Sequence, residues 1–127
     1  MITPLLEKLR FKPGMRVYVV GAPSGFEAEL ARLAEDVVRA TRPTGKLDLV
    51  QAFYTRAAKL KRDVPKLASA LTPGGILWLA YPKGGALATD LNRDILRTAV
   101  AAIGLDTVAI VAIVDVWSAL RCKPLAA

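Results

Sequence analysis

Residues 71 to 84 read LTPGGILWLAYPKG. Thr72-Pro73-Gly74-Gly75 joins a residue with fixed φ to two that accept positive φ, which marks a turn following a helix end near Leu71. Ile76 to Tyr81 is apolar at every position, the pattern of a strand covered on both faces. Pro82 opens a second glycine-containing turn. A strand buried on both sides needs helices above and below it, so the flanking segments read as βα units.

Upstream, Arg16 to Gly21 (RVYVVG) and Leu47 to Phe53 (LDLVQAF) carry similar largely apolar runs. Gly21 to Gly25 turns the chain out of the first of them. Phe26, Leu30, Leu33 and Val37 then form a helical stripe, with Glu27 and Glu29 in the first turn, where the helix dipole favours acid. Only Arg42 to Lys46 separates Val37–Thr41 from the next strand, whereas a parallel crossover needs about a dozen residues. A short edge strand is therefore expected at 37–41. Thr55 is placed to cap a short helix, and Asp63 a second one. A proline inside one continuous helix costs about 3 kcal/mol, so a break beside Pro65 is expected. Residues 1–15 form a lead-in helix with Leu5, Leu6 and Leu9 on one face, stopped by Pro13-Gly14.

Downstream, Thr89 or Asp90 caps a helix that turns Leu91, Ile95, Leu96, Val100 and Ile103 inward, with Gly104 as its left-handed cap. Thr107 to Val114 is a strand, and Trp117 to Lys123 returns beside it across Asp115-Val116. The expected fold class is α/β. It is a three-layer, Rossmann-like single domain over residues 1–127, with a mostly parallel sheet of five to six strands and an antiparallel C-terminal hairpin. In chain numbering the expected strand order is 2-1-3-4-6-5.

The composition narrows function chiefly by exclusion. A 127-residue chain that is 54% hydrophobic can close a core without staples. Its longest aliphatic run, Val108 to Val114, has seven residues, against about 20 for a membrane-crossing helix. Met1 to Arg10 lacks the pattern of a secretion signal, so a cytoplasmic location and no membrane partner are expected. There is one cysteine and no histidine. An internal disulfide, the usual zinc sites and histidine-activated nucleophiles are thereby excluded, and no metal site or catalytic residue is assigned. The single Asn and single Gln fit either thermophilic selection or a GC-rich genome. A net charge of +7 favours anionic partners. Lys59, Lys61 and Arg62 read as a solvated helix face, with a nucleic-acid patch as the alternative. The apolar 108–114 strand suggests a homodimer.

LVQAF, the helix after it and ALTPGGILWLAYPKG resemble consecutive central strands of class I S-adenosylmethionine-dependent methyltransferases. Over nearly its whole length the chain also resembles a family of small bacterial domains of unknown function. FKPGMRV, WLAYPKG, TDLNRDIL and VDVWSALR carry that second likeness. The methyltransferase resemblance implies an acid at the end of the first strand, then G-x-G-x-G, then an acid after the second strand. Here Val19 stands at the first acid, Pro23 at the middle glycine, and Thr41-Arg42 near the second acid. Pro23 has no N–H and adds a ring where the backbone should approach the cofactor. The scaffold is expected without its cofactor site, and no resident cofactor is expected. A divergent S-adenosylmethionine-dependent methyltransferase is the alternative, and a nucleic-acid-associated basic protein a further one.

The leading expectation is a non-catalytic domain that binds an anionic small molecule at the C-terminal edge of the sheet, where ligands of such sheets sit. Gly21, Ser24 and Gly25 offer a glycine turn at a helix start. Arg42, Tyr54 and Lys83 are expected at the same edge. Lys83, Asp90 and Arg93 are expected to share one loop.

Overall fold

The computed structural model describes residues 3–32 and 37–124. In chain order its elements are α1 (Pro4–Lys8), β1 (Arg16–Val20), α2 (Ser24–Ala31), β2 (Val38–Arg39), β3 (Leu47–Phe53), α3 (Ala57–Ser69), β4 (Leu71–Pro82), α4 (Arg93–Ala101), β5 (Leu105–Ala112) and β6 (Trp117–Pro124). They form one six-stranded sheet in the order β2-β1-β3-β4-β6-β5, the order expected from the sequence. The pairs β1–β2, β1–β3 and β3–β4 are parallel, and β6 runs antiparallel between β4 and β5. No helix among the described residues is long and apolar enough to cross a membrane.

β4 is longer than its apolar stretch suggested. Leu71 pairs with Leu47, and the next partners are Ile76 and Leu49. While β3 advances from 47 to 49, β4 advances from 71 to 76, so the Pro-Gly-Gly segment is a bulge within one strand and not a turn ahead of it. The preceding helix ends at Ser69. Side chains alternate across the sheet as the two-residue period requires. Val50, Ala52, Leu77 and Leu79 face Leu60, Val64, Leu67, Leu96 and Val100 of α3 and α4. Leu49, Phe53, Trp78 and Ala80 share the opposite cluster with Leu6 and Leu9 of the lead-in segment and with Phe26 and Leu30 of α2. Each fully buried Leu or Phe of these clusters contributes about 1.5–3 kcal/mol.

Trp78 is the largest fully buried side chain and lies beneath the lead-in segment. Its Nε1–H donates to the Leu9 carbonyl at 2.8 Å. Beside it, Phe26 and Phe53 have ring centroids 5.1 Å apart, and Phe53 meets Trp117 edge-on at the same separation. Both tryptophans are core residues. Gln51, in register between Val19 and Trp78, is fully buried, and neither side-chain polar atom has a partner among the described residues. Such burial costs about 1–3 kcal/mol.

Several local expectations are corrected. α1 ends at Lys8, with Arg10 at φ +68°, so the lead-in helix stops before Pro13-Gly14. α3 runs unbroken through Pro65. Pro65 is exposed, and so is Lys61, whose carbonyl loses its helical donor, so water can satisfy that group. α4 is capped by Asn92, whose side chain accepts from Ile95 N–H at 2.8 Å, and not by Thr89 or Asp90. Its inward face is Leu96, Ala99 and Val100, while Ile95 and Ile103 are 40% and 42% exposed. β5 is Leu105–Ala112, two residues earlier at each end than expected. Leu33 of the predicted α2 stripe lies outside the described residues.

β2 is the short edge strand expected between residues 37 and 41. Among the described residues it pairs with Arg16 and Val17 alone, at the start of β1. Because β2 never climbs to the carboxyl end, the short link 40–46 suffices to reach the start of β3. Among the described residues, the carboxyl half of β1 consequently has no paired strand on that side.

Candidate functional site

Strand order reverses direction between β1 and β3, since β1 leads outward to β2 and β3 leads the other way to β4. The carboxyl ends of β1 and β3 therefore flank the topological switch point, where ligands of open α/β sheets bind. Gly21 leaves β1 there at φ +73°. A Cβ on Gly21 would stand 2.7 Å from the Phe53 carbonyl oxygen, so the turn lies directly on the end of β3.

The glycine turn is more closed than the sequence implied. Pro23 occupies the N-cap of α2 and makes no side-chain capping bond, and Ser24 is exposed at the first helical position. At Gly25 an added Cβ would meet Val114 of the β5–β6 connection at 3.4 Å. Val114 and Val116 pack on the cluster containing Phe26 and Phe53. The hairpin tip thus packs over the start of α2.

Lys83, Asp90 and Arg93 are held by separate structural ties. Lys83 donates its backbone N–H to Val116 at 2.7 Å, and its side chain is exposed. It opens a kinked loop, Lys83–Ala88, in which Gly84, Gly85, Leu87 and Ala88 have positive φ. Asp90 Oδ1 accepts from the Ala57 N–H at 2.8 Å, while the Thr89 hydroxyl donates to Thr55 O at 2.6 Å. The Arg56 N-cap of α3 supplies no side-chain bond, so Asp90 caps that helix from the following crossover. Arg93 is exposed and 3.6 Å from its neighbour Asp94, an ion pair worth little. Asp90→Ala is expected to cost about 1 kcal/mol in urea unfolding, with Asp90→Asn retaining most of it through the amide oxygen. A side chain kept only for ligand would leave the unfolding midpoint unmoved in both variants.

Tyr54 lies at the switch point, but it faces the α3 side. It is 3% exposed, and its hydroxyl donates to Asp63 Oδ2 at 3.1 Å. Burial first, and then the Asp63 charge and hydrogen bond, push its phenol far above the ordinary range, so it stays protonated. Tyr54 and Asp63 share a cavity of about 180 Å³ with Tyr18, Val20, Pro43, Lys66 and Leu67. Arg42 is exposed and precedes Pro43 in the chain, but it does not itself line this cavity. Sequence reading missed Asp63 and Lys66 here. The signal was their spacing of three on α3, which puts both on one helix face.

Three larger cavities lie elsewhere. One of about 590 Å³ runs between α3 and α4, past Leu60, Val64, Ile95 and Ile103. A second, of about 530 Å³, lies by the Thr72–Gly75 bulge and Cys122. The third, about 290 Å³, lies between Val17 and α2. None of these four cavities is lined by Gly21, Ser24, Gly25 or Lys83. Cys122 is 4% exposed, and burial together with the Asp106 charge pushes its thiol up to about 12. Arg121 and Lys123 therefore do not activate it. Among the described residues no three His, Cys, Asp or Glu side chains cluster as metal ligands would.

No family model matches the chain, and no curated protein does. Solved structures do match it. Ribosomal protein L11 methylase of Lactobacillus delbrueckii subsp. bulgaricus superposes with a TM-score of 0.61 at 18% identity, covering 95% of this chain and 75% of that one. DhpI in complex with SAH gives 0.63 at 12% identity, covering 95% and 82%. The fibrillarin pre-rRNA processing protein of Methanococcus jannaschii gives 0.59 at 14% identity, covering 98% and 70%. The chain thus has the Rossmann-like fold of class I S-adenosylmethionine-dependent methyltransferases. At these identities the likeness is one of fold.

The residues at the switch point fit that cofactor poorly. Val19, 8% exposed, stands where an acid belongs, and Thr41-Arg42 brings no acid after β2. Pro23 withholds an N–H, and Val114 crowds the start of α2.

Proposed function

We propose that the chain is a non-catalytic binding domain on a methyltransferase-type scaffold, taking a small anionic molecule at the carboxyl edge beside the switch from β1 to β3. The observation that carries this is the polar cavity of Tyr18, Tyr54, Asp63 and Lys66, opened where β2 stops short. Lys66 on its wall supplies a cationic donor for a phosphate or carboxylate, and Arg42, next in the chain to Pro43 of the lining, is the second cation proposed to reach the ligand. Asp63 has acceptor capacity beyond its bond to Tyr54, suited to ligand hydroxyls. At about 180 Å³ the cavity admits one end of a ligand rather than the whole of it. A sugar phosphate or nucleotide has that combination of charged group and hydroxyls.

Thermal shift with inorganic phosphate, ribose 5-phosphate and AMP tests this. Saturating ligand at a hundred times its Kd stabilises by about 2.7 kcal/mol, a rise of several degrees. Lys66→Ala and Arg42→Ala, both at exposed positions, should abolish the shift with little change in the unliganded melting temperature. No shift at millimolar ligand would sink the proposal. The second reading, a divergent methyltransferase, is favoured by the SAH-bound neighbour of the same fold. Saturable S-adenosylmethionine binding that ignores Lys66→Ala would replace the first reading with it.

A further inference from the structure

β5 closes the sheet on one side and, among the described residues, is paired with β6 alone. Its outward side chains are unusual for an edge. Val108 is 51% exposed and Ile110 54%, and no charged residue occurs from Thr107 to Val114. Edge strands of soluble proteins are ordinarily protected by lysine, proline or inward charge. Here the protection is a single irregularity at Val108, where the β5–β6 register slips, and Ala109 to Ala112 continue in regular pairing. A net charge of +7 makes two copies repel across their basic surfaces, and this neutral edge lacks that repulsion.

We propose that two copies of the chain pair through β5 in antiparallel fashion about a twofold axis at Ile110, joining their sheets into one. Opposed residues of an antiparallel pair lie on the same face, so the twofold must pass through a residue and not between two. Centred on Ile110, the register sets Ala109 opposite Val111 and Val108 opposite Ala112. Each larger side chain off the axis thus meets an alanine, and Ile110 meets its own copy. That size matching belongs to the strand's pairing with itself, and it favours a second copy over a foreign strand adding to the same edge. The contact is isologous and closed, so it ends at a dimer.

Sedimentation velocity on the full chain across micromolar to submillimolar concentrations should show a reversible monomer–dimer equilibrium. Ile110→Lys should shift it to monomer with an unchanged far-ultraviolet circular dichroism spectrum. Mild oxidation of Ile110→Cys should give a covalent dimer, because the twofold brings that position against itself. Ala112→Cys, opposite Val108, should give much less, and the wild type none, since Cys122 is buried. A wild type monomeric throughout, a dimer that survives Ile110→Lys, or equal cross-linking at 110 and 112 would each overturn the proposal. Should Ile110→Lys fail to fold, the comparison of the two cysteine variants decides it.

Discussion

Trp78→Ala is expected to lower the free energy of unfolding by about 3–5 kcal/mol, enough to abolish most of the stability of a typical domain this size. Three losses combine. The indole is 1% exposed, so its removal leaves a cavity between the sheet and the lead-in segment. The Leu9 carbonyl loses the donor that reaches it across 69 positions of chain. Leu6 and Leu9, both fully buried in the same cluster, lose the surface they pack on. Trp78→Phe separates these contributions, since it keeps most of the volume and removes only the donor, for about 1 kcal/mol plus a smaller packing term. Urea unfolding followed by circular dichroism at fixed protein concentration measures both. If Trp78→Ala cost no more than Trp78→Phe, the lead-in segment would not be closing this face, and α1 would be dispensable.

Strand identity and strand order were legible in the sequence because each depends on local pattern plus chain connectivity. Apolar runs at Arg16–Val20, Leu47–Phe53 and Ile76–Tyr81 demanded burial on both faces, and the residue counts between them allowed few crossovers. Features that depend on a distant partner were not legible. The cap of α3 comes from Asp90, 33 positions away, so no reading around Thr55 could find it. Pro65 is tolerated because Lys61 faces water, and that orientation is set only when α3 docks on the sheet through Leu60, Val64 and Leu67. The candidate site divides the same way. Gly21 and Tyr54 were placed correctly at strand ends. Of the α3 side chains that complete the cavity, Asp63 had a local reading as a helix cap, which concealed it, and Lys66 carried no reading of its own.

Gly21→Ala is expected to destabilise by about 2–5 kcal/mol, whether or not a ligand is present. At φ +73° a Cβ costs roughly 1–2 kcal/mol of local strain. The added atom would also stand 2.7 Å from the Phe53 carbonyl oxygen, a backbone group fixed by its strand. Relief requires β1 and β3 to part at their carboxyl ends, and such overpacking costs about 1–3 kcal/mol more. Gly25→Ala makes the contrasting control. Its φ is ordinary, and the new Cβ would meet only Val114 side-chain atoms from 3.4 Å outward, so a change of under 1 kcal/mol is expected. Both glycines belong to the turn that the methyltransferase comparison would assign to a cofactor. A turn shaped only for ligand would tolerate alanine at either position, with unchanged melting temperature and weakened binding at both. The pair of melting temperatures therefore separates two causes. A large loss at Gly21 with little at Gly25 means that the glycine is required by the approach of β1 to β3.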